Sequence, residues 1–132
     1  MDIVNPHLSV TQFGDHFNLT VEYTATFVPA EAGFSFEDTI VFAERDSGDD
    51  FDFFSPDVRT PGGQFIPNSE LHQFTPNGEI SVFRRRERNG VSQSNLNTGP
   101  GDEDLVGLVH LRNVSLNGQN IRKRTNINVI DA

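Results

Sequence analysis

The chain has 132 residues, no cysteine, 12 phenylalanines and a formal net charge of −9 at pH 7. This length suits a single domain over residues 1–132 with one hydrophobic core. The lack of cysteine excludes disulfides, thiolate metal sites and cysteine nucleophiles. The negative charge disfavours nucleic acid and anionic membranes as partners. Neither a signal peptide nor an apolar run of about 20 residues is visible, so the sequence assigns no cellular location.

Alternation of apolar and polar residues dominates the first third of the chain. Within residues 17–27 every second residue is apolar, which predicts a strand with one buried and one exposed face. An earlier strand precedes Gly14-Asp15, and this pair predicts the bend that joins the two strands into a hairpin or a corner. Residues 39–44 predict a third strand.

Turn signals separate shorter strands in the rest of the chain. The predicted strands occupy residues 63–67, 70–75, 79–88, 105–114 and 121–130. Asn-Gly pairs beginning at positions 77, 89 and 117 predict tight turns, because a type I′ turn needs positive φ at both central residues. In the last strand, one face is predicted to carry Ile121, Thr125, Ile127 and Val129.

This order of elements predicts an all-β fold. No segment has a convincing helical period, and seven to nine short strands favour an antiparallel two-sheet β-sandwich. In general architecture such a sandwich is immunoglobulin- or fibronectin-like, although the Cys–Trp–Cys pattern of immunoglobulin domains is absent. A jelly roll or a small β-barrel is the alternative. The predicted core includes Phe17, Leu19, Val21, Tyr23, Phe27, Ile40, Phe42, Val109 and Leu111.

Aspartates are concentrated in two stretches, one within residues 46–57 and one at 102–104. Calcium prefers six to eight oxygen ligands, which acidic loops at one end of a sandwich can supply. The spacing does not match an EF-hand. Candidate calcium ligands are Asp46, Asp49, Asp50, Asp52, Asp102 and Asp104. The alternative is a solvated acidic loop that binds no metal.

Basic residues also cluster, because seven of the ten fall within residues 84–88 and 122–124. The strand that carries the first run is predicted to begin in the core, at Ile80 and Val82, and to end in water. Arg84 and Arg86 are expected to meet carboxylates, since arginines at this density need counter-charges. The candidate interaction surface comprises Arg84, Arg86, Arg88, Arg122 and Arg124.

Catalytic motifs are absent: the chain has no G-x-S-x-G, no H-E-x-x-H and no Gly-rich phosphate loop. The sequence therefore predicts a non-catalytic binding or protein-interaction module, self-associating or accessory to a larger assembly. Its partner is expected to be a protein or a second copy, and neither nucleic acid nor membrane. One alternative is a calcium-stabilised sandwich that binds a ligand such as a carbohydrate. Another is a small enzyme without a recognisable motif. No cofactor other than calcium is suggested.

Overall fold

The computed structural model describes residues 1–47, 50–53, 57–59, 65–67, 69–96, 102–116 and 118–131, with side chains described outside residues 45–70. In this part of the chain the strands are β1 (Asp2–Phe13), β2 (His16–Thr26), β3 (Phe36–Ser47), β4 (Asp50–Phe53), β5 (Asp57–Arg59), β6 (Phe65–Pro67), β7 (Ser69–Phe74), β8 (Ser81–Ser92), β9 (Glu103–Asn113), β10 (Asn120–Arg124) and β11 (Asn128–Ile130). A 3-10 turn (Pro29–Glu31) and one helix, α1 (Gln93–Leu96), complete these elements. Over the same ranges, no helix has the length and apolar character to span a bilayer.

The strands form two antiparallel sheets that pack face to face, which confirms the predicted all-β sandwich. Sheet A has the strand order β1-β2-β8. Sheet B has the order β10-β9-β3, and the far side of β3 pairs with β7 along residues 36–41 and with β4 along residues 43–47. β11 pairs with the beginning of β9, and β5 and β6 form a separate ladder.

The space between the sheets is filled by the residues that the alternation predicts. All nine predicted core residues are buried, and they belong to one cluster that β2, β3, β8 and β9 contribute to. Between the sheets, Gly107 of β9 faces Val21 of β2 at close range. A Cβ at Gly107 would lie 2.7 Å from Val21 Cγ2, so only glycine fits without movement.

The last predicted strand is interrupted, and Thr125 explains the interruption. Its hydroxyl accepts a hydrogen bond from the Gly107 N–H over 2.9 Å, replacing a backbone carbonyl in the ladder. The chain leaves β9 there and returns as β11. As a result the predicted face is wrong at its end, because Val129 is 65% exposed and Ile130 is buried.

The Asn-Gly pairs have different outcomes. Asn77 and Gly78 have φ of 56° and 88°, which confirms a turn, but it joins β7 of sheet B to β8 of sheet A. The predicted turn at Asn89-Gly90 is wrong: the pair lies inside β8, opposite Asn18, as a β-bulge. Asn117 lies outside the described residues, although the turn it predicts falls between the paired strands β9 and β10.

The direction of burial along β8 is the reverse of the prediction. Ile80 is exposed and Val82 is half-buried, whereas Arg86 and Arg88 are buried. The strand therefore begins at the surface and ends between the sheets. Alternation alone identifies the two faces of a strand, but not the point at which the strand enters the core.

Candidate functional site

An ion-paired cluster lies between the sheets where β3 faces β2 and β8. Asp38, on the inner face of β3, is completely buried. Its Oδ2 accepts hydrogen bonds from Tyr23 Oη over 2.6 Å and from Arg84 Nε over 3.0 Å. Its Oδ1 accepts one from Arg86 Nη2 over 2.5 Å. These contacts confirm that Arg84 and Arg86 meet a carboxylate, and they connect the two sheets.

Aromatic rings complete the environment of Arg84. Its guanidinium carbon lies 4.1 Å from the centroid of the Phe74 ring, a distance typical of a cation–π contact. Phe74 in turn lies 6.0 Å from Phe36 and 6.3 Å from Phe27, measured between ring centroids. The charge of Arg84 is therefore balanced by Asp38 on one side and by an aromatic face on the other.

The protonation states in this cluster follow from burial and charge. Burial, together with the negative charge of Asp38, raises the pKa of Tyr23 far above its usual range. The phenol therefore stays neutral and donates a hydrogen bond to Asp38. Burial alone would raise the pKa of Asp38. Hydrogen bonds from Arg84 and Tyr23 and the charges of Arg84 and Arg86 outweigh it, and this pKa lies below its usual value. The cluster is an internal clamp between the sheets.

The interior position of these arginines corrects the candidate interaction surface. Arg86 and Arg88 have only 4% and 3% of their surface exposed, so neither presents its side chain to a partner. The Arg88 guanidinium carbon lies 6.0 Å from the Phe42 ring centroid, and its Nη1 donates to the Glu87 carbonyl over 2.8 Å.

The second basic run does lie at the surface. Arg122 and Arg124 are exposed on the outer face of β10, where they stand opposite His110 and Leu108 of β9. Arg112, two residues beyond His110 on the same face, is ion-paired to Glu37 of β3 at 2.5 Å. The outer face of sheet B thus carries a basic strip, which we define as His110, Arg112, Arg122 and Arg124.

Within the basic strip, His110 is held in its neutral form. Its partial burial and the positive charge of Arg122 lower its pKa, and a hydrogen bond with Asn120 opposes this only in part. The Nε2 atom is buried and has no hydrogen-bond partner among the described residues. Sequence reasoning missed this histidine, because its partners come from two other strands.

The candidate calcium ligands approach one end of sheet B. Asp46 and Asp52 lie on β3 and β4, and the register pairs Asp52 with Glu44, which also pairs with Leu105 of β9. Asp104 precedes Leu105. The side chains of Asp46, Asp50 and Asp52 and the whole of Asp49 lie outside the described part, and Asp102 is exposed. Among the described side chains, no group of three histidines or carboxylates could hold a metal.

The two edge strands of sheet A, β1 and β8, differ in the partners of their outward-facing backbone groups. The β1 edge is capped by side chains that follow β10: Asn126 Oδ1 accepts from the Leu8 N–H over 2.8 Å, and Asn128 Nδ2 donates to the Leu8 carbonyl over 2.8 Å. β8 has no second ladder partner among the described residues, although β5 lies near it. Its outer residues Ser81, Phe83 and Arg85 are exposed.

One open cavity, of about 350 Å³, lies between the N-terminal residue and the β9–β10 connection. It is lined by Met1, Glu31 and residues 118–121. Burial would raise the pKa of Glu31, but hydrogen bonds from the Met1 ammonium, at 2.7 Å, and from the Val28 N–H lower it. The carboxylate is therefore already paired and held ionised.

No family model matches this chain, and no curated protein or solved structure matches it either.

Proposed function

We propose that this protein is a non-catalytic interaction module that binds an extended segment of a partner protein along the free edge of β8. The observation that carries the proposal is the contrast between the two edges of sheet A. Side-chain amides cap β1 at Leu8, whereas β8 has no second ladder partner among the described residues. An exposed edge of this kind pairs readily with an added strand.

The hydrogen-bonding phase of β8 supports this proposal. The Ile80 carbonyl accepts from the Phe27 N–H over 2.8 Å, so the backbone groups of residue 80 point toward β2. Because these directions alternate in an antiparallel ladder, Ser81, Phe83 and Arg85 direct their N–H and C=O groups away from β2. An incoming strand would pair with these three residues.

Exposed apolar side chains lie at the same end of β8. Phe83 is 62% exposed, Ile80 is 56% exposed and Val28, which follows β2, is 55% exposed. The register pairs Thr26 with Ser81, and this brings Val28 and Ile80 to one corner of sheet A. Apolar side chains beside a free edge supply the burial that backbone pairing alone lacks.

The test is an edge-blocked variant, Ser81→Pro/Phe83→Ser, compared with wild type. Proline removes an N–H that faces away from β2, and serine removes the aromatic anchor. Binding to partners recovered from the native source, or self-association in sedimentation velocity, should weaken at least tenfold, since aromatic anchors contribute more than about 1 kcal/mol each. Leu71→Ser is the matched control, because Leu71 is 52% exposed but lies on sheet B. Equal binding by wild type and the blocked variant would reject the proposal.

A calcium-stabilised sandwich is the second candidate, and the register of sheet B favours it. The pairing of Asp52 with Glu44, and of Glu44 with Leu105, brings both acidic stretches to adjacent strands. A divalent cation would offset the repulsion between these carboxylates. A sugar or another polar ligand could then bind at that end of the sandwich.

Calcium binding is tested by thermal unfolding of chelator-treated protein. We expect millimolar calcium, but not magnesium, to raise the melting temperature by several degrees, because a ligand of the folded state stabilises it by mass action. Asp104→Asn should remove the shift, whereas Asp15→Asn, an exposed carboxylate at the β1–β2 turn, should leave it unchanged. Identical melting temperatures with and without calcium would support the alternative, a solvated acidic loop that binds no metal.

An immunoglobulin- or fibronectin-like relationship is likewise a proposal. It is supported by two antiparallel sheets that pack over one core, with a three-stranded sheet facing a larger one.

A further inference from the structure

The basic strip on sheet B combines positive charge with a histidine whose Nε2 has no hydrogen-bond partner among the described residues. The β9–β10 ladder places Arg122 opposite His110, and Arg112 follows His110 by two residues on the same face. Both arginines are therefore neighbours of His110 on the outer face of sheet B. Arg122 is exposed and makes no ion pair with any residue of the described ranges.

The charges around His110 come from three strands. β9 supplies Arg112, β10 supplies Arg122 and the neutral Asn120, and β3 supplies Glu37. Glu37 pairs with the Nε of Arg112, and Arg122 has no carboxylate partner among the described residues. Arg124 adds a further positive charge two residues along β10. This strip is positive on a chain whose net charge is −9.

We propose that the basic strip binds a dianionic oxyanion, inorganic phosphate or a phosphomonoester, between Arg112 and Arg122 and over His110. Guanidinium groups recognise phosphate by paired N–H···O hydrogen bonds, and a protonated imidazole would add a positive charge beneath the anion. A single carboxylate carries half the charge and fewer acceptor atoms. The site is separate from β8, so this proposal holds whether or not β8 binds a partner.

Binding and protonation must be linked at such a site. The arginines oppose protonation of His110, and a bound dianion would cancel that repulsion. Anion binding therefore raises the pKa of His110, and by reciprocity the anion binds more tightly as pH falls through that pKa. Sulfate is the appropriate probe for the pH series, because its charge stays constant where that of phosphate changes.

The experiment is a pH titration of the imidazole signals by NMR in chloride, in sulfate and in phosphate at constant ionic strength. With saturating phosphate, the pKa of His110 should rise by roughly one pH unit. His7, His16 and His72 serve as internal controls and should not move. Arg122→Gln should raise the pKa of His110 in chloride and abolish its response to phosphate. Arg85→Gln, an exposed arginine on sheet A, should change neither.

The probes also distinguish the sources of the anion. Equal responses to inorganic phosphate and O-phosphoserine would support recognition of the phosphate group alone, and a stronger response to phosphoserine would support a phosphorylated partner. A similar response to acetate would contradict the proposed preference for a dianion over a single carboxylate. No response, or equal shifts of all four histidines, would overturn the site itself, because uniform shifts indicate general screening.

Discussion

Asp38→Asn is expected to lower the free energy of unfolding by about 3–5 kcal/mol, because it removes the buried carboxylate to which Arg84 and Arg86 both donate. Arg86 is 4% exposed and donates to Asp38 over 2.5 Å, so water cannot replace the lost partner. Asparagine keeps the shape of the side chain and one acceptor oxygen. Urea unfolding of both proteins, followed by circular dichroism, measures the difference.

Glu37→Gln is the matched control for this substitution. Glu37 is the neighbour of Asp38 on β3 but faces outward, where it pairs with a partly exposed Arg112. The Glu37 side chain is 11% exposed, but Arg112 is 38% exposed, so water can solvate the guanidinium and this variant should lose only about 1 kcal/mol. If Asp38→Asn were no more destabilising than Glu37→Gln, the clamp would not hold the sheets together.

The same carboxylate predicts a specific dependence of stability on pH. The pKa of Asp38 in the folded protein lies below the 3.8 of an unperturbed aspartate. The ionised pair therefore contributes its full stabilisation above that value and loses it as pH falls toward the lower, folded pKa. Asp38→Asn should show a flatter loss of stability below pH 4 than wild type. Parallel acid-unfolding curves for the two proteins would contradict this assignment.

The close contact between Gly107 and Val21 predicts a second large effect: one core substitution should compensate for the loss of stability caused by the other. Val21→Ala should lower the free energy of unfolding by about 2–3 kcal/mol, since it deletes two buried methyl groups. Gly107→Ala should cost about 1–3 kcal/mol, because its Cβ would lie 2.7 Å from Val21 Cγ2. In the double variant, the new methyl occupies the space that valine vacates. The double variant should be more stable than the sum of the singles by about 1–3 kcal/mol.

Val91→Ala provides the comparison for this cycle. Val91 is as buried as Val21 but belongs to β8, where it pairs with Phe17. The losses in free energy of unfolding caused by Val91→Ala and Gly107→Ala should add within about 0.5 kcal/mol, because the two sites share no contact. Additivity of Val21→Ala with Gly107→Ala would show that the two residues do not limit the distance between the sheets.

The strands that cross the core were predictable because their alternation is long and regular. Within residues 17–27 each apolar residue faces sheet B, and the polar residues between them form the outer face of sheet A. A one-residue slip would expose that entire apolar set, so the pattern itself specifies the buried face. Asn-Gly was a weaker guide. The same dipeptide forms a turn at Asn77 and a bulge at Asn89, since both geometries accept positive φ.

The candidate sites were less predictable, because their groups are distant along the chain. The arginine run predicted carboxylate partners, but nothing in the sequence near Asp38 distinguishes it from the other acids. His110 acquires its charged neighbours from β10 and β3. β8 is an edge strand among the described residues because only β2 pairs with it, and side chains from Asn126 and Asn128 cap the opposite edge. Each of these features depends on strand order, which local pattern does not encode.

The sequence by itself determined the class of fold, the core residues of its long strands and the need for arginines to meet carboxylates. These properties follow from side-chain periodicity and charge, which act over a few neighbouring residues. Only the tertiary structure decided that Arg86 and Arg88 lie inside, that Asp38 is a carboxylate Arg86 meets, and that Arg122 stands opposite His110. The physical reason is that electrostatic and packing energies depend on distance in space, and strand pairing sets that distance between residues far apart in the chain.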